Sequence, residues 1–121
     1  MNYDWLDEYL LSQTKAEKDF KEEWGATRYT LNGKMFALRG GDKAGEPLIS
    51  FKLEPEFSYL LREQYAGVII PGYYLNKEHW SSMYLAGDVP DDVVRKMADQ
   101  SYRLIFESLT KKARAEILEN R

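Results

Sequence analysis

The chain has 121 residues, 44% of them hydrophobic and 31% charged, and its net charge at pH 7 is −3. This length accommodates one hydrophobic core, so we expect a single globular domain over residues 1–121. The chain has no cysteine and one histidine, which excludes disulfides and thiolate nucleophiles and leaves too few ligands for a typical transition-metal site.

The first half of the chain predicts one helix and three or four strands. Hydrophobic residues recur at helical spacing from Trp5 to Leu10, which predicts an amphipathic first helix. Residues 19–24 alternate, with two aromatic residues on one side, and predict a first strand. Asn32-Gly33 lies between two strand-like runs and predicts a tight type I′ hairpin. After a glycine-rich loop, residues 48–53 alternate as another strand.

The second half predicts two helices separated by one or two strands. Pro55 is placed at the start of a short helix that ends near Gly67. A brief apolar run follows, and residues 80–85 alternate as a strand. Pro90 precedes two aspartates and begins a long helix, because carboxylates favour the first turn of a helix. Residues 110–121 are expected to form a short further helix or a frayed tail.

The order of these elements predicts the fold class. Strands occur in runs instead of alternating singly with helices, which indicates an α+β fold. We expect an antiparallel sheet of five or six strands, with the helices packed on one face. The buried stripe of the long helix is predicted to comprise Val94, Met97, Ser101, Leu104 or Ile105, and Leu109.

Several segments of the sequence are distinctive together. They are residues 71–80, residues 87–92, Ser101-Tyr102, Gly33 to Phe36, and Ser50 to Leu53. In these segments the chain resembles the MmcQ/YjbR family of small bacterial proteins, and the resemblance runs from the first helix to about Leu109. Its most specific element is Asn76 to Trp80. The resemblance implies a compact α+β fold likened to frataxin, and DNA binding through a double-winged arrangement of hairpins.

Under this resemblance, basic residues on hairpins form a face that contacts DNA phosphates. The candidates are Lys34, Lys52, Lys77 and His79, with Trp80 nearby. Lysines contact phosphates, and aromatic or imidazole rings stack on bases. In the alternative interpretation Trp80 is a core aromatic, Lys77 lies over it, and His79 makes local hydrogen bonds.

A second candidate surface lies in the same part of the chain. Tyr73, Tyr74 and Asn76, close to Trp80, would form a site for another protein or a small ligand on the same fold.

An acidic ridge on the first helix is a third feature to weigh. Asp4, Asp7 and Glu8 share one helix face, and under the resemblance to a frataxin-like fold they suggest weak binding of a cation or a partner. An ordinary solvated helix face explains the three carboxylates better.

The resemblance implies a DNA-binding protein of the MmcQ/YjbR type, and the residues add the expectation that it is non-enzymatic, without catalytic residues, metal or cofactor. The main alternative is a module that binds a protein or a small ligand. The acidic N-terminal segment lacks the features of a signal peptide, and no apolar run reaches the roughly 18 residues of a membrane span. We therefore expect a cytoplasmic protein that does not bind membranes, and a monomer is favoured.

Overall fold

The computed structural model describes residues 3–119, which form six strands and four helices. The strands are β1 (Glu17–Lys21), β2 (Ala26–Leu31), β3 (Lys34–Gly41), β4 (Pro47–Lys52), β5 (Ile69–Pro71) and β6 (Trp80–Tyr84). The helices are α1 (Leu6–Leu11), α2 (Pro55–Gln64), α3 (Asp91–Glu107) and α4 (Lys111–Glu119). The strands form one antiparallel sheet in the order β1-β2-β3-β4-β6-β5. The predicted α+β class is confirmed.

The predicted hairpin joins β2 to β3 at Asn32-Gly33. Asn32 has φ 53° and Gly33 has φ 79°, so both central residues of the turn are left-handed, as a type I′ turn requires. Leu31 and Lys34 are the last register partners before this turn. The prediction of this turn is therefore confirmed. In all, four strands lie between α1 and α2.

The first strand differs from its prediction. β1 ends at Lys21, and the backbone N–H of Trp24 donates to the Lys21 carbonyl at 3.1 Å in a turn that leads into β2. Gly25 closes this turn with φ 59°, a conformation that glycine adopts without strain. The prediction of a strand through Trp24 was therefore wrong, because a turn interrupts the alternation that the sequence suggests.

All four helices bring side chains to one face of the sheet, as predicted. The hydroxyl of Ser101 on α3 donates to the Phe36 carbonyl at 2.5 Å and accepts from the Lys52 backbone N–H at 2.8 Å. These bonds join the helix to two strands inside a core that excludes water. The core residues include Leu6, Leu10, Tyr29, Leu31, Phe36, Ile49, Phe51, Leu53, Leu61, Met83, Val94, Met97, Ile105 and Ile117.

The C-terminal part of the chain completes the layer of helices. Ile105, and not Leu104, takes the buried place on α3, and Leu109 is buried just beyond the helix. The segment predicted as a short helix or frayed tail is helical to Glu119, and residues 120 and 121 lie outside the described part. Over residues 3–119, no helix has the length and apolar character needed to cross a membrane.

The opposite face of the sheet has no helix on it in the part of the chain described. On β4, Ile49 and Phe51 point to the helices, so Leu48, Ser50 and Lys52 point to the other side. We call this side the open face. A single irregular segment, residues 72–79 between β5 and β6, folds over part of it, and we call it the tyrosine segment.

Candidate functional site

A groove of about 500 Å³ lies on the open face, between the tyrosine segment and the turn before β2. Its volume lies within the range typical of small-molecule sites, and most of its lining is apolar. The lining residues are Trp24, Ala26, Met35, Leu38, Gly40, Gly41, Asp42, Lys43, Leu48, Ser50, Tyr73, Tyr74 and Leu75.

The floor of the groove is formed by small and aliphatic residues of β2, β3 and β4. Leu38 pairs with Ser50, and Gly40 pairs with Leu48. A Cβ atom placed on Gly40 would lie 3.2 Å from the Ala26 Cβ, tighter than ordinary van der Waals contact. The two residues therefore leave a flat area where a bound molecule can approach the backbone closely.

One wall of the groove is the start of the tyrosine segment. The Gly72 N–H donates to the Trp80 carbonyl at 2.8 Å, and the Tyr73 N–H donates to the Ser82 hydroxyl at 3.0 Å. The Ser82 hydroxyl is also bonded to that of Ser50 at 2.5 Å. Two buried serines on neighbouring strands thus fix where the chain crosses the open face.

The far end of the tyrosine segment is held by Arg62 of α2. Its Nη2 donates to the carbonyls of Lys77 at 2.6 Å and Trp80 at 2.8 Å, and its Nε donates to the Ser81 hydroxyl at 3.0 Å. Burial lowers the pKa of Arg62. A partly buried guanidinium with these neutral acceptors serves to anchor the loop, because several of its donors are satisfied in one place.

Tyr74 is the most exposed large hydrophobic residue described, at 78%. It has φ 56°, a left-handed conformation that costs a non-glycine residue about 1–2 kcal/mol. The centroid of its ring lies 4.6 Å from the ring centroid of Tyr73, in an edge-to-face arrangement. The segment therefore holds an exposed ring over the groove in a conformation that an L-residue does not favour.

The loop between β3 and β4 closes one end of the groove. The Tyr73 hydroxyl accepts from the backbone N–H of Lys43 at 2.9 Å, and the Tyr84 hydroxyl donates to Asp42 at 2.8 Å. The bond from Tyr84 lowers the pKa of Asp42, and the backbone N–H of Glu46 adds to this effect. Asp42 in turn raises the pKa of Tyr84.

The opposite wall is Trp24, which is 56% exposed. Because the turn before β2 carries it out of β1, its ring is available on the groove side instead of packing in the core. Sequence reasoning missed Trp24, Met35 and Leu38 as site residues. The sequence did contain a signal for Leu38. It is apolar and adjoins the buried Ala37 on the same strand, so it must point to the opposite face of the sheet.

The basic residues proposed to contact DNA lie in different environments. Lys34 points to the helices, with its Nζ 3.5 Å from the Ser108 hydroxyl. Lys52 and Trp80 are register partners on the open face. The Nζ of Lys77 donates to the Gly72 carbonyl at 2.8 Å, and His79 is exposed. The structure thus brings Lys52, Trp80 and His79 to one end of the sheet and turns Lys34 to the opposite face.

The residues proposed for a ligand surface separate into two roles. Tyr73 and Tyr74 line the groove, whereas Trp80 and Asn76 do not. The Asn76 Oδ1 accepts from the backbone N–H groups of Glu78 and His79, both at 3.0 Å, and so shapes the turn before β6. Tyr73 and Tyr74 therefore contact the groove. Asn76 and Trp80 instead support the tyrosine segment, which forms one wall of the groove.

The three acidic residues predicted to share a face of the first helix are not gathered into a site, and Asp4 precedes α1. Asp7 accepts from the Tyr29 hydroxyl at 2.5 Å and from the Lys18 Nζ at 2.9 Å, while Asp4 and Glu8 are exposed. These two bonds lower the pKa of Asp7, the Tyr29 bond most strongly. Over residues 3–119, no group of three or more potential metal ligands comes together.

A family model described as YjbR matches residues 11–104, a stretch that contains every residue lining the groove. The chain belongs to the YjbR family. The Escherichia coli (strain K12) member, "Uncharacterized protein YjbR", is 33% identical over 109 residues, which are 90% of this chain and 91% of that protein. The Bacillus subtilis (strain 168) protein "Uncharacterized protein YyaQ" is 32% identical, covering 78% of this chain and 98% of its own length.

Solved structures also match this member of the YjbR family. The crystal structure of Deinococcus radiodurans protein DR2400 superimposes with a TM-score of 0.82 at 28% identity and covers 96% of this chain and 87% of its own. The crystal structure of a Pseudomonas syringae protein superimposes with a TM-score of 0.73, covering 87% of this chain and 99% of its own. At 24% identity, the second likeness concerns the fold alone.

Proposed function

We propose that this YjbR-family chain is a non-catalytic binding domain that takes a small, largely apolar or aromatic molecule in the open-face groove. The observation that carries this proposal is the pair of exposed rings, Trp24 and Tyr74, on opposite sides of an apolar floor. Exposed aromatic residues that converge on a concave apolar surface are a common mark of a binding site.

The disposition of the hydroxyl groups supports a role without chemistry. The Ser50 and Ser82 hydroxyls bond to each other, and Ser101 is buried against the Phe36 carbonyl. A serine nucleophile needs a base in hydrogen-bond reach, and His79 does not line the groove. These observations support a groove that offers shape and apolar surface to a ligand rather than an activated serine.

The test uses an uncharged fluorescent ligand, N-phenyl-1-naphthylamine, whose emission rises in an apolar site. We expect saturable binding to the wild type, and about tenfold weaker binding to Trp24→Ala and Tyr74→Gly, because each removes one ring from the groove. Phe20→Ala is the matched control, since Phe20 is an exposed aromatic residue on β1 outside the groove and is 61% exposed, against 56% for Trp24. Absent binding, or equal loss in the control, would contradict the proposal.

DNA binding is a second proposal, favoured by one specific observation. Lys52 and Trp80 lie side by side on the open face, and His79 adjoins them. A cation beside an aromatic ring suits a phosphate and a base. The support is narrower than for the groove, because Lys34 faces the helices and Lys77 bonds to its own loop.

This second proposal is tested through the salt dependence of binding. We expect affinity for duplex DNA to fall steeply between about 50 and 200 mM salt, and Lys52→Ala to reduce the slope of log K against log salt by about one. Lys112→Ala, an exposed lysine on α4, is the control and should leave the slope unchanged. No binding at the lower salt concentration would remove the proposal.

A further inference from the structure

Two lysines lie at the end of the groove, Lys43 on the loop between β3 and β4 and Lys77 within the tyrosine segment. Lys43 lines the groove itself, and together with Lys77 it lines a shallower recess on the outer side of the same segment. Both depressions share Tyr73 and Tyr74, so they meet along these residues. A molecule that extends from the groove past Tyr73 and Tyr74 into this recess would therefore come close to both lysines.

The lysine charges at this end are only partly balanced. Among the residues that line the two depressions, Asp42 carries one negative charge against the two positive charges of Lys43 and Lys77, which leaves one positive charge in excess. The Asp42 oxygens accept from neutral groups, namely the Tyr84 hydroxyl and the backbone N–H groups of Ala44 and Glu46. Among residues 3–119, the ion pairs do not include Lys43 or Lys77. Lys77 uses one of its three N–H donors on the Gly72 carbonyl. Donors and positive charge therefore remain for an anionic group.

The rest of the groove suits a flat ring. Trp24 and Tyr74 stand on either side, and the floor near Ala26 and Gly40 has almost no projecting side chain. Aromatic rings also attract cations, but the ammonium of Lys43 would repel a cationic ligand at this end. Shape and charge together favour a planar ligand that is apolar at one end and negative at the other.

We propose that the groove binds an aromatic anion, a planar ring system bearing a carboxylate or sulfonate, with its ring between Trp24 and Tyr74 and its charged group at Lys43 and Lys77. This inference rests on the proposed binding function of the groove. It deepens that function by naming the chemical class of the ligand. The ring gains affinity from apolar contact, and the two lysines select for the charge.

The test compares two probes that share one aromatic framework. These are 8-anilinonaphthalene-1-sulfonate, which is anionic, and its uncharged counterpart N-phenyl-1-naphthylamine. Each exposed ion pair contributes up to about fivefold in affinity, so we expect Lys43→Met/Lys77→Met to bind the sulfonate roughly tenfold more weakly. Binding of the neutral probe should stay within about twofold, because the methionines keep the aliphatic stems. Probe fluorescence measures both affinities.

Two further variants make the outcome decisive. Lys111→Met/Lys112→Met on α4 removes the same charge away from the groove and should bind both probes as the wild type does. Lys43→Met alone leaves the Lys77 bond to Gly72 in place and should still weaken the sulfonate selectively. Equal effects on the two probes, or equal effects in the α4 variant, would overturn the anion inference and leave the groove proposal standing. Failure of both probes to bind the wild type would overturn the groove proposal itself.

Discussion

On the helix-covered face of the sheet, Phe36 and Phe51 are wholly buried, whereas on the open face Trp24 and Tyr74 remain largely exposed. The first face is stabilised by apolar packing against four helices, and the second is shaped by hydrogen bonds that position a single loop. This difference indicates that substitutions on the first face will change stability, and that substitutions on the second will chiefly change binding.

Removing a core ring should have the largest effect on stability. Phe36 is fully buried, and its ring meets that of Tyr102 edge to face at 5.5 Å. We expect Phe36→Ala to lower the free energy of unfolding by about 3–5 kcal/mol, because it removes apolar contact and leaves a cavity. Urea denaturation measures this change. A loss below about 1 kcal/mol would show that the helix-covered face is not the principal source of stability.

Gly72→Ala tests whether the two faces are independent. A Cβ atom at Gly72 would lie 2.8 Å from the Trp80 Cβ and 3.0 Å from the Trp80 carbonyl oxygen, so the tyrosine segment must shift. We expect a loss of about 1–3 kcal/mol in the free energy of unfolding, together with weaker binding of N-phenyl-1-naphthylamine. If the folded variant bound the probe as the wild type does, the close packing at Gly72 would not be needed for the groove.

Tyr74→Gly should move stability and binding in opposite directions. Glycine relieves the left-handed conformation, which costs tyrosine about 1–2 kcal/mol, but it also increases the entropy of the unfolded chain. We expect a net gain of roughly 0.5 kcal/mol in the free energy of unfolding, measured by urea denaturation, and a loss of probe binding. A clear loss of stability would indicate that the Tyr74 ring contributes to the fold as well as to the groove.

The smallest effect on stability is expected from lowering the pH. The test compares two tyrosine–aspartate pairs, one on each side of the sheet. Asp7 accepts from Tyr29 near the helices, and Asp42 accepts from Tyr84 at the groove. Both folded-state pKa values are lowered from 3.8, so each pair stabilises the fold above that pH and loses this contribution as pH falls through the folded pKa.

The measurement is the stability of each variant across this acid range. From about pH 5 to about pH 2, Asp7→Asn and Asp42→Asn should each lose less stability than the wild type does. Glu22→Gln, in the exposed turn before β2, serves as the control and should follow the wild type. Parallel curves for all four proteins would show that neither tyrosine bond contributes to the pH dependence.

Local chemistry made the fold predictable. Asn32-Gly33 encodes its turn in two residues, and Pro90 followed by acidic residues marks the start of α3. In contrast, the end of β1 depends on Gly25, whose left-handed conformation closes a turn that alternation alone does not reveal. The helices and most strands were therefore predictable, and the position of Trp24 was not.

The candidate site depends on contacts between distant parts of the chain. Lys34 and Lys52 face opposite ways partly because the register shifts by one residue near Phe36, a change that no local pattern encodes. The groove also requires the Ser50–Ser82 bond. Tyr73 and Tyr74 were predicted as a possible surface, but their partner Trp24 became apparent only once the sheet had placed it opposite them.

The pairing of β4 with β6 also implies an order of assembly. β1 to β4 are joined by short connections, so their contacts are local and should form early. Ser50 and Ser82 are 32 residues apart, and their strands can pair only after the chain between them has closed a long loop. We therefore expect the groove to be completed late in folding. A molecule that binds the finished groove would oppose the first step of unfolding, and we expect it to protect β5 and β6 most strongly from hydrogen exchange.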